Sequence, residues 1–157
     1  MNIHIRKATI SDVDILIKLR FDFLLTLYDN LTKDEDILIR EQLATYFINH
    51  INYDLLAIFA EIDNNISSTA FLVISEMPAN LESINGKRGT LLNVFTYPKY
   101  RRMGLATKVI KQIITDAKQI GISAIDLDAT QDGKLLYEKL GFIEPGFNHT
   151  TMKLNLG

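Results

Sequence analysis

The sequence has no cysteine and no tryptophan, and only three prolines among its 157 residues. Without cysteine there is no disulfide, no thiolate metal site and no cysteine nucleophile. The absence also fits a reducing compartment. No run approaches the ~20 apolar residues that a membrane span requires. The opening MNIHIRKATISD lacks the apolar stretch of a signal peptide. The expectation is a soluble, cytoplasmic chain with no membrane partner. No Pro/Gly-rich linker, repeat or low-complexity segment interrupts it, so residues 1–157 read as a single domain.

Other chemistries fail on spacing. His4, His50 and His149 are scattered and form no metal-ligand pattern, so no metal is expected. There is no Gly-x-Gly-x-x-Gly or Walker loop. Residues 121–125 (GISAI) resemble a nucleophile elbow but lack its final glycine. Charge is also sparse: the net charge is −2 and the pI about 5.9. That gives no strong nucleic-acid signal, since such binders carry a basic face or a high pI. The one dense basic cluster is Lys99, Arg101 and Arg102, followed by Lys108 and Lys111. It suffices for one phosphorylated ligand, or it is a solvated loop and helix face.

What is present is an ordinary globular balance, 47% hydrophobic and 23% charged. Residues 3–7 alternate as a first strand. Ser11 and Asp14 suggest a cap before a helix carrying Leu16, Leu19, Phe23, Leu24 and Leu27. Thr32 and Glu35 form a capping box before a second helix, with Ala44, Phe47, Ile48 and Ile51 on one face. Residues 55–62 and 66–75 read as strands around the turn sequence Asp63-Asn64-Asn65. Residues 90–97 make another strand. Ala106, Val109, Ile110, Ile113, Ile114 and Ala117 then mark a long helix over 103–119, stopped at Gly121. Residues 122–127 predict a buried strand, 134–140 a short helix, and the alternating TTMKLNL a last strand. This order predicts an α/β chain with a largely antiparallel first half and a βαβ unit over about 90–128.

Phosphate chemistry points to the junction Pro98-Lys99-Tyr100-Arg101-Arg102-Met103-Gly104-Leu105-Ala106. A helix N-terminus offers free N–H groups and partial positive charge. Gly104 permits close backbone approach, with Ala106 nearly as small. Arg101 and Arg102 add charge-assisted bonds. A glycine in a tight turn beside two solvated arginines is the alternative.

These residues resemble the GNAT acetyltransferase superfamily. Its Arg/Gln-x-x-Gly-x-Gly/Ala signature is matched by Arg101 to Ala106, and Pro98 precedes it at the expected distance. A second block, Leu-Tyr-Glu-Lys-Leu-Gly-Phe, stands intact at Leu136 to Phe142. The resemblance is firm over about residues 88–143 and looser before. It implies a GNAT-type mixed, mostly antiparallel central sheet with splayed strands, flanked by about four helices. Acetyl-CoA would lie in the gap as cosubstrate. Its pyrophosphate would rest on backbone amides of Arg102, Met103, Gly104, Leu105 and Ala106. Its pantetheine would pair with Val94, Phe95 and Thr96. Tyr137 would protonate the departing thiolate, or be a packing residue. The family often has Asn and Ala where Thr130 and Gly133 stand, and an aliphatic residue at Thr96. Thr130 and Gly133 would still border the cofactor.

The implied activity is N-acetyl transfer to a primary amine by direct attack in a ternary complex. A protonated amine with a pKa of about 10.4 costs roughly 4–5 kcal/mol to neutralise at pH 7, so a base is expected. Glu76 is the first candidate and Asp128 the second. Each also reads as a solvated strand-end carboxylate. A backbone N–H near Phe95 or Thr96 would stabilise the oxyanion. Alternatives are a CoA-binding sensor or adaptor without turnover, and O- or longer-chain acyl transfer. The acceptor is a small-molecule or peptide amine. Asp29, Asp34, Glu35 and Asp36 would draw a cationic acceptor, or simply favour a helix N-terminus. The aromatics Phe21, Phe23, Tyr46, Phe47 and Tyr53 read as core, or in part as acceptor-pocket lining. Exposed strands in the C-terminal half leave a homodimer open.

Overall fold

Residues 55–62 (LLAIFAEI) are buried throughout except Glu61, which is partly exposed. A strand apolar on both faces belongs inside a sheet with cover on each side. The computed structural model, which describes residues 1–146 and 149–157, meets that requirement. Its elements run β1 (Ile3–Lys7), α1 (Val13–Leu27), α2 (Lys33–His50), β2 (Leu55–Ile62), β3 (Asn65–Glu76), β4 (Lys87–Thr96), α3 (Leu105–Gln119), β5 (Ala124–Asp126) and α4 (Gln131–Lys139). The sheet order is β1-β2-β3-β4-β5. The first four strands are antiparallel, and β5 joins β4 in parallel.

The two faces carry separate cores. Leu56, Ile58, Ala60, Leu72 and Leu91 pack against α3 through Val109, Ile110 and Ile113. Leu55, Ala57, Phe59 and Phe71 pack on the other face against Leu16, Leu19 and Phe21 of α1 and Phe47 of α2. Strand alternation sorts neighbouring residues between these cores. The end of α3 shows why Gly121 stops it. Gly121 has φ +83°. Ile122 N–H donates to Ala117 O at 3.0 Å and Gly121 N–H to Lys118 O at 3.2 Å, the double bond of a Schellman stop.

Several expectations need correction. The first cap is Thr9 with Asp12, not Ser11 with Asp14, and a 3-10 turn over Ile10–Asp12 precedes α1. Arg6 dictates this: its Nη1 and Nη2 donate to the Asp12 carboxylate at 2.8 and 2.9 Å. On α1 the buried side chains are Leu16, Leu19, Phe21 and Leu24, while Leu27 is exposed. On α2 they are Leu43 and Phe47, while Ile48 is exposed. The strand expected over 122–127 is reduced to Ala124–Asp126 and is only partly buried. Residues 150–156 form no strand. Met152, Leu154 and Leu156 keep their alternation but are each more than 80% exposed, because no strand edge receives them. Tyr53, also expected as core or pocket lining, is exposed.

Arg6 also donates Nε to Glu61 at 2.7 Å, tying β1, β2 and the turn before α1 together. Asp12 and Glu61 both titrate below their ordinary 3.8 and 4.5, chiefly because Arg6 bonds them. As pH falls, the unfolded chain therefore takes up protons first. The network's contribution is complete above these ordinary values and is lost as pH drops through the lower folded-state ones. Arg6→Gln should cost about 1–3 kcal/mol at neutral pH. It should also flatten the fall in melting temperature between about pH 5 and about pH 3. Parallel falls in variant and wild type would show that acid sensitivity arises elsewhere.

Candidate active site

β4 and β5 pair only at Arg88↔Ala124, Gly89↔Ile125 and Thr90↔Asp126. β4 runs on to Thr96, so among the described residues no strand covers its outer edge from Leu91 to Thr96. β5 ends at Asp126 while β4 continues, so among the described residues the backbone groups of Val94, Phe95 and Thr96 have no ladder partner on that side. Thr96 is partly buried here. Its hydroxyl also finds Ser68 Oγ at 2.7 Å, inside the sheet.

Just before this stretch β4 carries a bulge. Thr69 faces Phe95 and Phe71 faces Leu92, so Asn93 and Val94 together oppose Ala70. Asn93 has φ +53°, a left-handed conformation that asparagine tolerates better than most residues. Its side chain is 1% exposed. Asn93 Oδ1 accepts from Arg20 Nη1 at 3.2 Å, and Asn93 Nδ2 has no partner. Neither residue was singled out from the sequence. The signal was a lone asparagine in the apolar run LLNVF.

Past β4 the chain turns through Pro98–Tyr100 into α3. Arg101 Nε donates to Thr96 O at 3.2 Å, closing the turn on the strand end. Arg102 and Gly104 have φ +63° and +73°. Among the described residues, the N–H groups of Arg102, Met103 and Gly104 donate to no backbone acceptor. Those of Leu105 and Ala106 fall in the first helical turn, where no i−4 acceptor exists within the helix. A Cβ built on Gly104 would meet nothing within 4 Å, so the backbone there faces open space. Leu105 is buried and Met103 packs on the α3 core; their contribution to a ligand is backbone. No carboxylate lies within ion-pair distance of Lys99, Arg101, Arg102, Lys108 or Lys111 among the described residues. Free donors and unneutralised cations thus converge at one helix start, an arrangement suited to a phosphate group.

On the β5 side, Asp128, Thr130 and Tyr137 line one cavity of about 300 Å³. The block around Tyr137 is a helix stop. Phe142 N–H donates to Tyr137 O and Gly141 N–H to Glu138 O, both at 3.0 Å, with Gly141 at φ +98°. The Tyr137 and Phe142 rings then meet edge-on at 5.9 Å. This is the hydrophobic contact that accompanies a Schellman motif. At the other end of α4, Thr130 Oγ1 caps the helix by accepting from Gly133 N–H at 3.2 Å. A Cβ on Gly133 would come to 3.2 Å from the Tyr137 ring and 3.3 Å from Thr130 Oγ1. Gly133 therefore gives the ring room to lie over the first turn. Burial raises the Tyr137 hydroxyl above its ordinary 10.0, so it is protonated at neutral pH.

Glu76 is not brought to this site. It pairs with Lys87 at the opposite end of β4 from Thr96, roughly 30 Å along the strand at ~3.3 Å per residue. The strand end beside Pro78 is real, but it is the wrong end of the sheet.

The model of the Acetyltransferase (GNAT) family matches residues 22–142. The chain belongs to that family. The uncharacterized N-acetyltransferase ycf52 of Porphyra purpurea is 36% identical over 87 residues, covering 55% of this chain and 48% of the relative. Its counterpart in Pyropia yezoensis is 39% identical over 66 residues, covering 42% and 38%. The chain thus spans less than half the length of each of these relatives. A predicted acetyltransferase of Clostridium acetobutylicum, crystallised with acetyl-CoA, superposes with a TM-score of 0.84 at 28% identity, over 99% of this chain and 97% of that one.

The two ends of α4 hold Tyr137 in place. Gly141→Ala should cost about 1–2 kcal/mol, the usual penalty for a Cβ in a left-handed conformation. Thr130→Ala should cost about 1 kcal/mol through loss of the cap. Leu135, exposed on the same helix, is the control and should stay within about 0.5 kcal/mol when replaced by alanine. Thermal denaturation of the three variants checks the order. Equal effects would mean that α4 is not held at its ends.

Proposed function

We propose that the chain is an acetyl-CoA-dependent N-acetyltransferase that acts on a primary amine by direct attack in a ternary complex. The observation that carries this is the early end of β5 along a continuing β4, beside a helix start with free N–H groups. An extended pantetheine arm fits the uncovered edge of β4, as an added strand would. A pyrophosphate fits the N–H groups of Arg102 to Ala106, with Arg101 and Arg102 supplying charge. Bound acetyl-CoA supplies the acetyl thioester. In the reaction the amine nitrogen bonds to the acetyl carbon and the C–S bond breaks. The amine gives up a proton, and the leaving sulfur takes one.

The chain's own groups serve those steps. Backbone N–H near Phe95 and Thr96, beside the bulge, stabilises charge on the carbonyl oxygen. Tyr137, half-buried and protonated, with no hydrogen-bond partner for its hydroxyl among the described residues, is the acid for the leaving sulfur. Asp128, on the same cavity and exposed, is the base, through water. With no cysteine, no cysteine acyl-enzyme intervenes.

Gly104→Asp should fold and lose the melting shift that acetyl-CoA gives the wild type, because its carboxylate enters the phosphate's space. An undiminished shift would move the phosphate site elsewhere. Tyr137→Phe should keep acetyl-CoA affinity and lower kcat by about 10²-fold; a loss of stability with little change in kcat would make Tyr137 a packing residue. In pH–rate profiles Asp128→Asn should remove the acidic limb and Glu76→Gln should leave it. The reverse would overturn the assignment of the base.

A further inference from the structure

On the face of the sheet that carries α1 and α2, a cavity of about 180 Å³ lies among Arg20, Gln42, Tyr46, Phe71, Val73 and Leu92. Leu92 immediately precedes the bulge. The cavity therefore meets β4 from the face opposite α3, at the start of the edge that β5 leaves uncovered. Its lining is apolar apart from Arg20, Gln42 and Tyr46, and Arg20 is its one charged residue.

Arg20 is half-buried and has no carboxylate within ion-pair distance among the described residues. Its one hydrogen bond goes to the neutral Asn93 Oδ1, and its guanidinium lies 5.8 Å from the Phe23 ring. Arg6 is the contrast: also partly sheltered, it holds two carboxylates, Asp12 and Glu61. A cation withdrawn from water without an anion is costly, and burial correspondingly lowers the Arg20 pKa, though it stays charged. Asn93 adds a second, independent deficit. Arg20 occupies its Oδ1, which fixes the amide's orientation, and the 1%-exposed side chain leaves Nδ2 without an acceptor. Side by side at the β4 bulge, and among the described residues, Asn93 Nδ2 thus lacks an acceptor and Arg20 lacks an anion.

We infer that Arg20 anchors an anionic group on the acceptor, so that the substrate is a small primary amine bearing a carboxylate or a phosphate. This rests on the acetyl-transfer reading above. The volume equals about six waters at ~30 Å³ each, which suits a small anionic headgroup rather than a peptide segment. Two of the acidic residues near the start of α2 are already engaged within that helix. Glu35 is engaged in capping Thr32 and Asp36 in pairing with Arg40.

The test compares kcat/KM for γ-aminobutyrate, O-phosphoethanolamine, n-butylamine and 1,4-diaminobutane, read as CoA release from acetyl-CoA. The wild type should favour one of the two anionic amines over n-butylamine by about 10- to 100-fold, the range of a hydrogen bond to a charged group. Which anion wins separates carboxylate from phosphate. Arg20→Gln should erase that ratio while keeping the acetyl-CoA melting shift. Asn93→Asp, which places a carboxylate against Arg20, should erase it too and serves if Arg20→Gln does not fold. A preference for 1,4-diaminobutane, or a ratio unchanged in both variants, overturns the assignment. If the wild type shows neither an acetyl-CoA shift nor turnover, acetyl transfer fails instead. The Arg20 site is then judged by whether the anionic amines alone raise the wild-type melting temperature but not that of Arg20→Gln; no shift in either overturns it.

Discussion

Every feature of the site depends on how briefly β4 and β5 stay together. Three parallel pairs bind β5 to the sheet, and then β4 continues alone to Thr96. Strand backbone left uncovered inside a fold must find partners or water. The cleft is therefore a set of directed donors and acceptors as well as a space. The bulge at Asn93 lies at the start of this uncovered stretch. It brings the Asn93 side chain to Arg20 of α1, and bulges near active sites commonly re-aim a side chain in this way.

The surrounding elements fix the two sides of that cleft. α3 is held by Val109, Ile110 and Ile113 against β2 and β3, so its N-terminus is a rigid origin for the free N–H groups. On the other face, Tyr97 OH donates to Asp22 at 2.5 Å, and Lys18 reaches the same oxygen. This clamps α1 over the end of β4 and sets Arg20, two residues earlier on α1, beside the bulge. α4 is capped at both ends and holds the Tyr137 ring next to Gly133 and Phe142.

Local patterns made much of this legible in the sequence. β2 and β3 read as strand-like runs around a turn sequence, α3 announces itself by 3/4 spacing, and the Arg101–Ala106 run marks a helix start rich in donors. Thr32 with Glu35 reads correctly because a capping box is contained in four residues. The misreadings are of non-local origin. Thr9 and Asp12 form the first cap because Arg6 grips Asp12. Glu76 reads as a site residue because strand ends look alike in a sequence; the antiparallel register sends it to the far end. Residues 150–156 alternate like a strand, yet alternation specifies a face only when an edge accepts the strand. The contact of Arg20 with Asn93 spans 73 positions and has no local signature beyond an asparagine among apolar neighbours.

The central claim is that the uncovered edge of β4 and the start of α3 together receive acetyl-CoA. Amide hydrogen exchange of the protein with and without acetyl-CoA tests it most directly. The account predicts added protection at Val94 to Thr96 and at Arg102 to Ala106, with Lys87 to Thr90, already covered by β5 at the base of the cleft, little changed. Protection confined to the β5–α4 cavity, with the edge of β4 exchanging as before, would contradict it.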